Sequence, residues 1–201
     1  MHSDNELRAD HRIIFDLVER GAKVLDLGCG TGELLYVLAR DKGARVQGIE
    51  LDEGAIYACV RKGLSVYHSD IETGLREYPE GCFDYVIMNQ SMQEVRKVDV
   101  VIRESLRIGR RIIVGFPNFA YIGARAMLAL GGKSPVTDSL PHRWFDTPNV
   151  RFLSVDDFRE FCREKGLRIL AERFLGRRGE IRVWPNLFAL TAVFLAEKKK
   201  P

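Results

Sequence analysis

A run of alternating glycines between a buried strand and a helix constrains this chain more than any other part of its sequence. Residues 24–27 read Val-Leu-Asp-Leu and predict a strand buried on both faces, and Gly28, Gly30 and Gly32 follow. Residues 33–40 then carry apolar side chains at helical spacing. Because glycine has no Cβ, the backbone can turn sharply here and a ligand can lie directly against it. We therefore expect a ligand at the carboxyl end of the strand, beside the helix N-terminus.

Strands and helices alternate along most of the sequence. Further strands are predicted at 45–50, 64–68, 83–88, 111–116, 167–174 and 188–196. Helices are predicted around 13–18 and at 33–40, 53–62, 98–106, 119–130 and 154–165. This alternation is typical of βαβ units, whose right-handed crossovers place helices on both faces of a mostly parallel sheet. The fold class is therefore α/β.

The regular alternation breaks after Asn118. Residues 119–130 predict an additional helix, and residues 133–152 contain three prolines and show no clear period. An irregular stretch of that length inside a compact domain is usually a lid or a binding surface. We therefore interpret residues 1–201 as a single domain with an inserted helix and lid-like loop at about 119–152.

Composition excludes several classes of protein. Lys plus Arg is 31 and Asp plus Glu is 28, and a formal net charge of +3 does not indicate nucleic-acid binding. No apolar run approaches the roughly 18 residues that a membrane span needs, and the polar, acidic N-terminus lacks the signal-peptide pattern. The four cysteines are scattered without a C-x-x-C pair. We expect a cytoplasmic protein with no membrane contact and no metal site.

Glu33 separates two classes of nucleotide ligand. A dinucleotide fingerprint G-x-G-x-x-G would require glycine at that position. A carboxylate at the start of the helix instead competes with a pyrophosphate for the N–H groups there and repels it. The acid-x-G-x-G-x-G pattern that begins at Asp26 therefore favours a nucleoside without phosphates and disfavours a nicotinamide enzyme.

Two further acidic residues lie at or just after the ends of the next two predicted strands. Glu50, followed by Leu51, lies at the offset from the central glycine where a carboxylate can accept hydrogen bonds from both ribose hydroxyls. Asp70 is placed to reach an adenine amino group, with Ile71 against the ring. Each acid also has a structural alternative: Asp26 as a cap of the glycine turn, Glu50 as a helix-entry acid and Asp70 as an N-cap.

The order of elements and these three motifs resemble the class I S-adenosylmethionine-dependent methyltransferases over nearly the whole chain. More narrowly, the sequence resembles the methionine biosynthesis protein MetW family. The resemblance rests on residues 24–35, 83–87 and 184–188 and above all on His-Arg-Trp-Phe-Asp-Thr-Pro-Asn at 142–149. It implies a Rossmann-like class I methyltransferase fold, with a seven-stranded mostly parallel sheet and an antiparallel last strand. It also implies bound S-adenosyl-L-methionine and a role beside homoserine O-acyltransferase in methionine synthesis.

The cofactor and the chemistry would involve different parts of the chain. The residues expected to bind the cofactor are Asp26, Gly28, Gly30, Gly32, Glu50, Leu51, Asp70, Ile71, Asn89 and Gln90. The last two would bond its amino-acid end through their amides, or else form a polar start to the next helix. His142 and Asp146 are weak candidates for a base and its orienting acid, with a structural role as the alternative.

Four functional hypotheses remain open at this stage. The first is a methyltransferase whose small-molecule acceptor lies under residues 119–152. The second is a non-catalytic module that binds S-adenosylmethionine and contacts an acyltransferase. A nucleic-acid methyltransferase is disfavoured by the small net charge and by Asn-Gln-Ser-Met at 89–92, where an Asn-Pro-Pro-Tyr motif would stand. A nicotinamide enzyme is disfavoured by Glu33.

Overall fold

A single sheet with helices on both faces forms the body of the protein. The computed structural model describes residues 7–199. The strands are β1 Lys23–Leu27, β2 Arg45–Glu50, β3 Val66–His68, β4 Phe83–Asn89, β5 Gly109–Pro117, β6 Leu167–Gly176, β7 Gly179–Glu180 and β8 Thr191–Lys198. The helices are α1 Ala9–Leu17, α2 Glu33–Lys42, α3 Glu53–Arg61, α4 Val98–Ile108, α5 Ile122–Gly131, α6 Val155–Glu164 and α7 Pro185–Phe188, with a 3₁₀ turn at Met92–Glu94. Among these helices none is long and apolar enough to cross a membrane.

The strand order positions a ligand site. The order is β3-β2-β1-β4-β5-β8-β6-β7, and β1 pairs in parallel with both β2 and β4. The chain therefore winds outward in opposite directions from β1 and β4. In open α/β sheets a ligand binds at such a switch point, in the crevice beyond the carboxyl ends of the two strands. The glycine turn leaves β1 at that place.

The mixed α/β fold and the antiparallel last strand are confirmed, and the strand count is corrected. Strand β8 pairs antiparallel with both β5 and β6. The described residues form eight strands rather than seven, because Gly179–Glu180 folds back on the end of β6 as a short hairpin. The last strand begins at Thr191 and not at residue 188, since residues 185–188 form one helical turn.

The core lies on both faces of the sheet. On one face α4 and α6 cover the sheet, and the Phe116 ring lies 5.3 Å from that of Phe158 and 5.8 Å from that of Phe194. On the other face α1 and α2 bury Ile14 and Leu38 against the same strands. The strands between the two layers are therefore apolar on both sides, which explains their continuous hydrophobic runs.

Asn118 joins the end of β5 to two later segments. Its side chain is fully buried, and its amide nitrogen donates to the carbonyl oxygens of Asn186 and Ala189 at 3.1 and 2.9 Å. Its Oδ1 accepts from the N–H of Ala120 at 3.2 Å. One side chain thus satisfies backbone groups of residues 119–152, which we call the inserted region, and of the connection into β8.

Replacing Asn118 by alanine should destabilise the fold by about 2–3 kcal/mol, because buried carbonyl groups lose their donor. Urea unfolding measures the change. Ser105→Ala is the matched control: Ser105 is also fully buried, but its hydroxyl has no hydrogen-bond partner. That variant should be as stable as the wild type or slightly more so. Equal losses in both variants would contradict this role for Asn118.

Candidate functional site

The three glycines of the turn have different structural reasons to be glycine. Gly28 and Gly32 have positive φ angles of 76° and 79°. A Cβ on Gly28 would lie 2.9 Å from Ser91 Cβ, and one on Gly32 would lie 2.7 Å from Cys59 Sγ. Gly30, at φ 53°, has no atom within 4 Å of its Cβ position. Packing therefore requires two of the glycines, whereas the third faces open space.

The carboxylate of Glu50 holds this turn against the end of β2. One oxygen, Oε2, accepts from the N–H of Gly30 at 2.8 Å. The other, Oε1, accepts from the N–H groups of Leu51 and Asp52 at 2.7 and 3.0 Å. The alternative role for Glu50, an acid that caps the next helix, is filled by Asp52, which accepts from the N–H of Ala55 at 2.7 Å at the start of α3. Glu50 does not cap α3, and one of its oxygens instead bonds the glycine turn.

An open cleft of about 670 Å³ lies beyond the carboxyl ends of β1, β2 and β4. We call it the first cleft, and its walls include Gly28, Glu50, Leu51, Asp70, Ile71 and Gln90. Six of the ten residues expected to bind a cofactor are therefore brought together around one volume. The remaining four are Asp26, Gly30, Gly32 and Asn89, which lie behind or beside it.

Asp70 and Ile71 follow β3 at the far end of the first cleft. The Asp70 carboxylate is exposed and accepts from the N–H of Glu72 at 2.7 Å, so it also caps a local turn. Ile71 is half-buried against the core, and Leu51 is exposed on the cleft. The cleft thus combines apolar side chains with the carboxylates of Glu50 and Asp70.

Asp26 is a carboxylate buried beneath the glycine turn. It is 4% exposed, its Oδ1 has no hydrogen-bond partner, and Glu50 lies close enough to interact with its charge. Burial, followed by repulsion from Glu50, raises the pKa of Asp26 from 3.8 to about 7. The structural alternative, in which Asp26 caps the turn through backbone N–H groups, is not what the structure shows.

The raised pKa makes wild-type stability fall as the pH rises from about 4 to about 7, because the folded state retains a proton that the unfolded chain has lost. Asp26→Asn removes this titration. The stability of the variant relative to the wild type should therefore grow by about 1.4 kcal/mol per pH unit in that window and level off above it. Urea unfolding at a series of pH values measures the difference. A difference that is independent of pH would contradict the shift.

Asn89 and Gln90 diverge although they are adjacent. The Asn89 amide nitrogen donates to the buried carboxylate of Asp10 at 2.8 Å, away from the residues that line the first cleft. Gln90 lines the cleft and has a positive φ of 60°, which is strained for a residue with a side chain. The structure therefore leaves Gln90 as the residue of the pair that can contact a ligand.

His142 lines a second cleft of about 570 Å³, next to the first. Its walls include Arg8, Asp10, Gln93, Glu94, His142 and Asn149. Asp146 is exposed, does not line this cleft, and has no hydrogen bond to His142 in the described structure. The segment is not helical, so the spacing of four residues does not place the two side chains together. Residues 7–199 contain no cluster of three or more metal-binding side chains.

Sequence reasoning missed the residues between β4 and α4 that line the first cleft. Ser91 is buried and donates to the carbonyl oxygen of Leu27 at 2.6 Å, which joins the ends of β1 and β4. Glu94 and Arg96 lie further along the same segment, and Glu94 also lines the second cleft. A usable signal exists: the segment leaves β4 at the switch point, where any polar side chain is a candidate.

The fold and the cleft define a class I methyltransferase fold. A putative S-adenosylmethionine-dependent methyltransferase from Listeria monocytogenes superposes with a TM-score of 0.69 over 96% of this chain and 97% of its own, at 16% identity. A SAM-dependent methyltransferase from Thermotoga maritima gives 0.67 over 95% and 88%, at 17% identity. At such identities the likeness establishes the fold alone.

The family follows from the sequence. The model of the methionine biosynthesis protein MetW family matches residues 8–196, and the chain belongs to that family. The bifunctional methionine biosynthesis protein MetXA/MetW of Rhodopirellula baltica is 36% identical over 205 residues. That alignment covers 95% of this chain and 33% of the relative, so the chain spans about a third of its length. A ribosomal protein L11 methyltransferase of Burkholderia vietnamiensis is 35% identical over 97 residues, 47% of this chain and 32% of its own.

Proposed function

We propose that the chain binds S-adenosyl-L-methionine in the first cleft. The observation that carries this proposal is that Gly28 of the glycine turn and the carboxylate of Glu50 line one open cleft at the switch point of the sheet. Glycine there admits close approach of a ligand, and the carboxylate offers hydrogen-bond acceptors to ribose hydroxyls. The cofactor, when bound, supplies a methyl group on a positively charged sulfonium.

The residues of the cleft suit the parts of this cofactor. Leu51 and Ile71 offer apolar surfaces on which a purine ring can lie, and the Asp70 carboxylate can accept from an exocyclic amino group. Gln90 lies at the other end, toward the second cleft, where the amino-acid part would extend. Each of these four residues is thus given a particular part of the cofactor to contact.

Charge supports a cationic nucleoside over a nucleotide. Among the residues that line the first cleft, four are acidic and one, Arg96, is basic; the acids are Glu50, Asp70, Glu72 and Glu94. Carboxylates in these positions repel a phosphate and attract a positive charge. A sulfonium compound without phosphates therefore suits the electrostatics of the cleft.

Replacing Glu50 by glutamine should weaken S-adenosylmethionine binding by about 1–3 kcal/mol, roughly five- to 150-fold, because ribose hydroxyls lose a charged acceptor. Isothermal titration calorimetry measures the loss. Asp52→Asn is the control, since it removes the same charge two residues away and asparagine can still cap α3. It should bind as the wild type does.

A second measurement separates ribose binding from the support that Glu50 gives to the turn. Wild-type protein should bind S-adenosylhomocysteine about tenfold more tightly than its 2′-deoxy analogue, and Glu50→Gln should lose most of that preference. A variant that retains the preference would show that the carboxylate does not bind the ribose. If the wild type binds neither ligand, the cofactor proposal is wrong.

We further propose that the chain works beside a homoserine O-acyltransferase in methionine synthesis. The relative from Rhodopirellula baltica bears the name MetXA/MetW, which places a second protein on the same chain as a MetW part. The surface that suits such a partner is in the inserted region, where Trp144 is 76% and Phe145 64% exposed. Large exposed aromatic side chains are typical anchors of protein interfaces.

Co-expression with the homoserine O-acyltransferase of the same organism tests this surface. The two proteins should co-elute in size-exclusion chromatography, and the Trp144→Ala, Phe145→Ala double variant should bind at least about tenfold more weakly, as expected for two aromatic anchors. Tyr57→Ala is the control because Tyr57 is 71% exposed on α3, outside the inserted region. Wild-type proteins that elute separately would contradict the proposal.

A further inference from the structure

The second cleft adjoins the first without belonging to it. Gln90 and Glu94 line both clefts, whereas Gln93, His142 and Asn149 line the second alone. Its volume of about 570 Å³ is sufficient for a small molecule. A ligand in the second cleft would therefore lie directly beside a ligand in the first.

Gln93 presents an acceptor that the protein does not satisfy. The residue is 5% exposed, and its Oε1 is buried without a hydrogen-bond partner. Its amide nitrogen donates to the carbonyl oxygen of Gln90 at 2.7 Å, which fixes the amide orientation because a carbonyl can only accept. A buried polar atom left in this state has a free-energy cost that a donor on a ligand would remove.

Of the acidic side chains that line the second cleft, one forms no ion pair within the described residues. Arg8 forms a two-bond ion pair with Asp10, at 2.7 and 3.1 Å, and Arg177 pairs with Asp138 at 2.8 Å. Glu94 forms no ion pair within residues 7–199, although burial raises its pKa and the charge of His142, on the same cleft, acts on it. The cleft therefore contains a carboxyl group without an ion-pair partner together with the unsatisfied acceptor of Gln93.

We propose that the second cleft binds a small amine as its ammonium ion, with Glu94 and the Gln93 side-chain oxygen accepting from the nitrogen. An ammonium group is the ligand that supplies both a positive charge and several N–H donors. This inference rests on the proposed function in one respect: it makes an amine the class of molecule that lies beside the cofactor. Pro141, Pro148 and Leu175 on the same walls can contact its apolar part.

A ¹⁵N NMR titration with 2-phenylethylamine tests the site, since amide shifts report where the probe binds. The amides of Gln93, Glu94, His142 and Asn149 should shift. The neutral analogue 2-phenylethanol should bind about tenfold more weakly because it lacks the charge-assisted bonds. Glu94→Gln should weaken the amine by a similar factor. Glu72→Gln, which alters an acid that lines the first cleft alone, should not.

Repeating the titration with saturating S-adenosylhomocysteine distinguishes the amine from the amino group of the cofactor itself. Binding that persists supports a separate amine site. Mutual exclusion would show that the second cleft holds the amino-acid end of the cofactor and would overturn the inference, as would shifts scattered away from the second cleft or an unaffected Glu94→Gln. If the amine binds and no adenosyl compound does, the cofactor proposal fails and this one stands.

Discussion

The carboxylate of Glu50 determines the geometry on which the first cleft depends. It accepts from Gly30 across the gap between β1 and β2 and from the first two N–H groups beyond its own strand. The carboxylate thereby adds a bond at Gly30 to the two by which the N–H groups of Gly28 and Cys29 donate to the carbonyl oxygen of Ile49 on β2, at 2.8 and 3.2 Å. The pKa of Asp26 is raised mainly by burial, and the charge of Glu50 makes the second contribution. One side chain thus shapes the cleft and sets its electrostatic character.

Much of this arrangement could be predicted from the sequence because it depends on local pattern and on topology rules. Buried parallel strands have apolar runs, and the carboxyl ends of such strands meet at one edge. Those two facts place Glu50 and Asp70 near the glycine turn without coordinates. They do not place β7 or the helical turn at 185–188. These depend on a two-residue pairing with the end of β6 and on Trp184 at φ 47°; the one local signal is Pro185, at the first position of the helical turn.

The divergence of Asn89 and Gln90 shows where sequence reasoning ends. Asn89 is the last residue of β4, whereas Gln90 lies just beyond it with a positive φ of 60°, so strand alternation does not determine where its side chain points. Asn89 donates a hydrogen bond to Asp10 of α1, 79 positions away, and covers Gly115, where an added Cβ would collide with the Asn89 Oδ1. Such a contact joins three elements. Spacing within one strand therefore cannot reveal which of the two amides faces a ligand.

The inserted region and the first cleft are joined through one short segment. The carbonyl oxygen of Gln93 accepts from the N–H groups of Val150 and Arg151, both at 3.0 Å, and the Arg151 Nε donates to Val95 at 3.1 Å. Val95 itself lines the first cleft. A partner that displaced the inserted region would have to break these bonds and disturb the wall of the cleft. Binding at the two places would then be coupled, and by linkage each ligand would change the affinity of the other by the same factor.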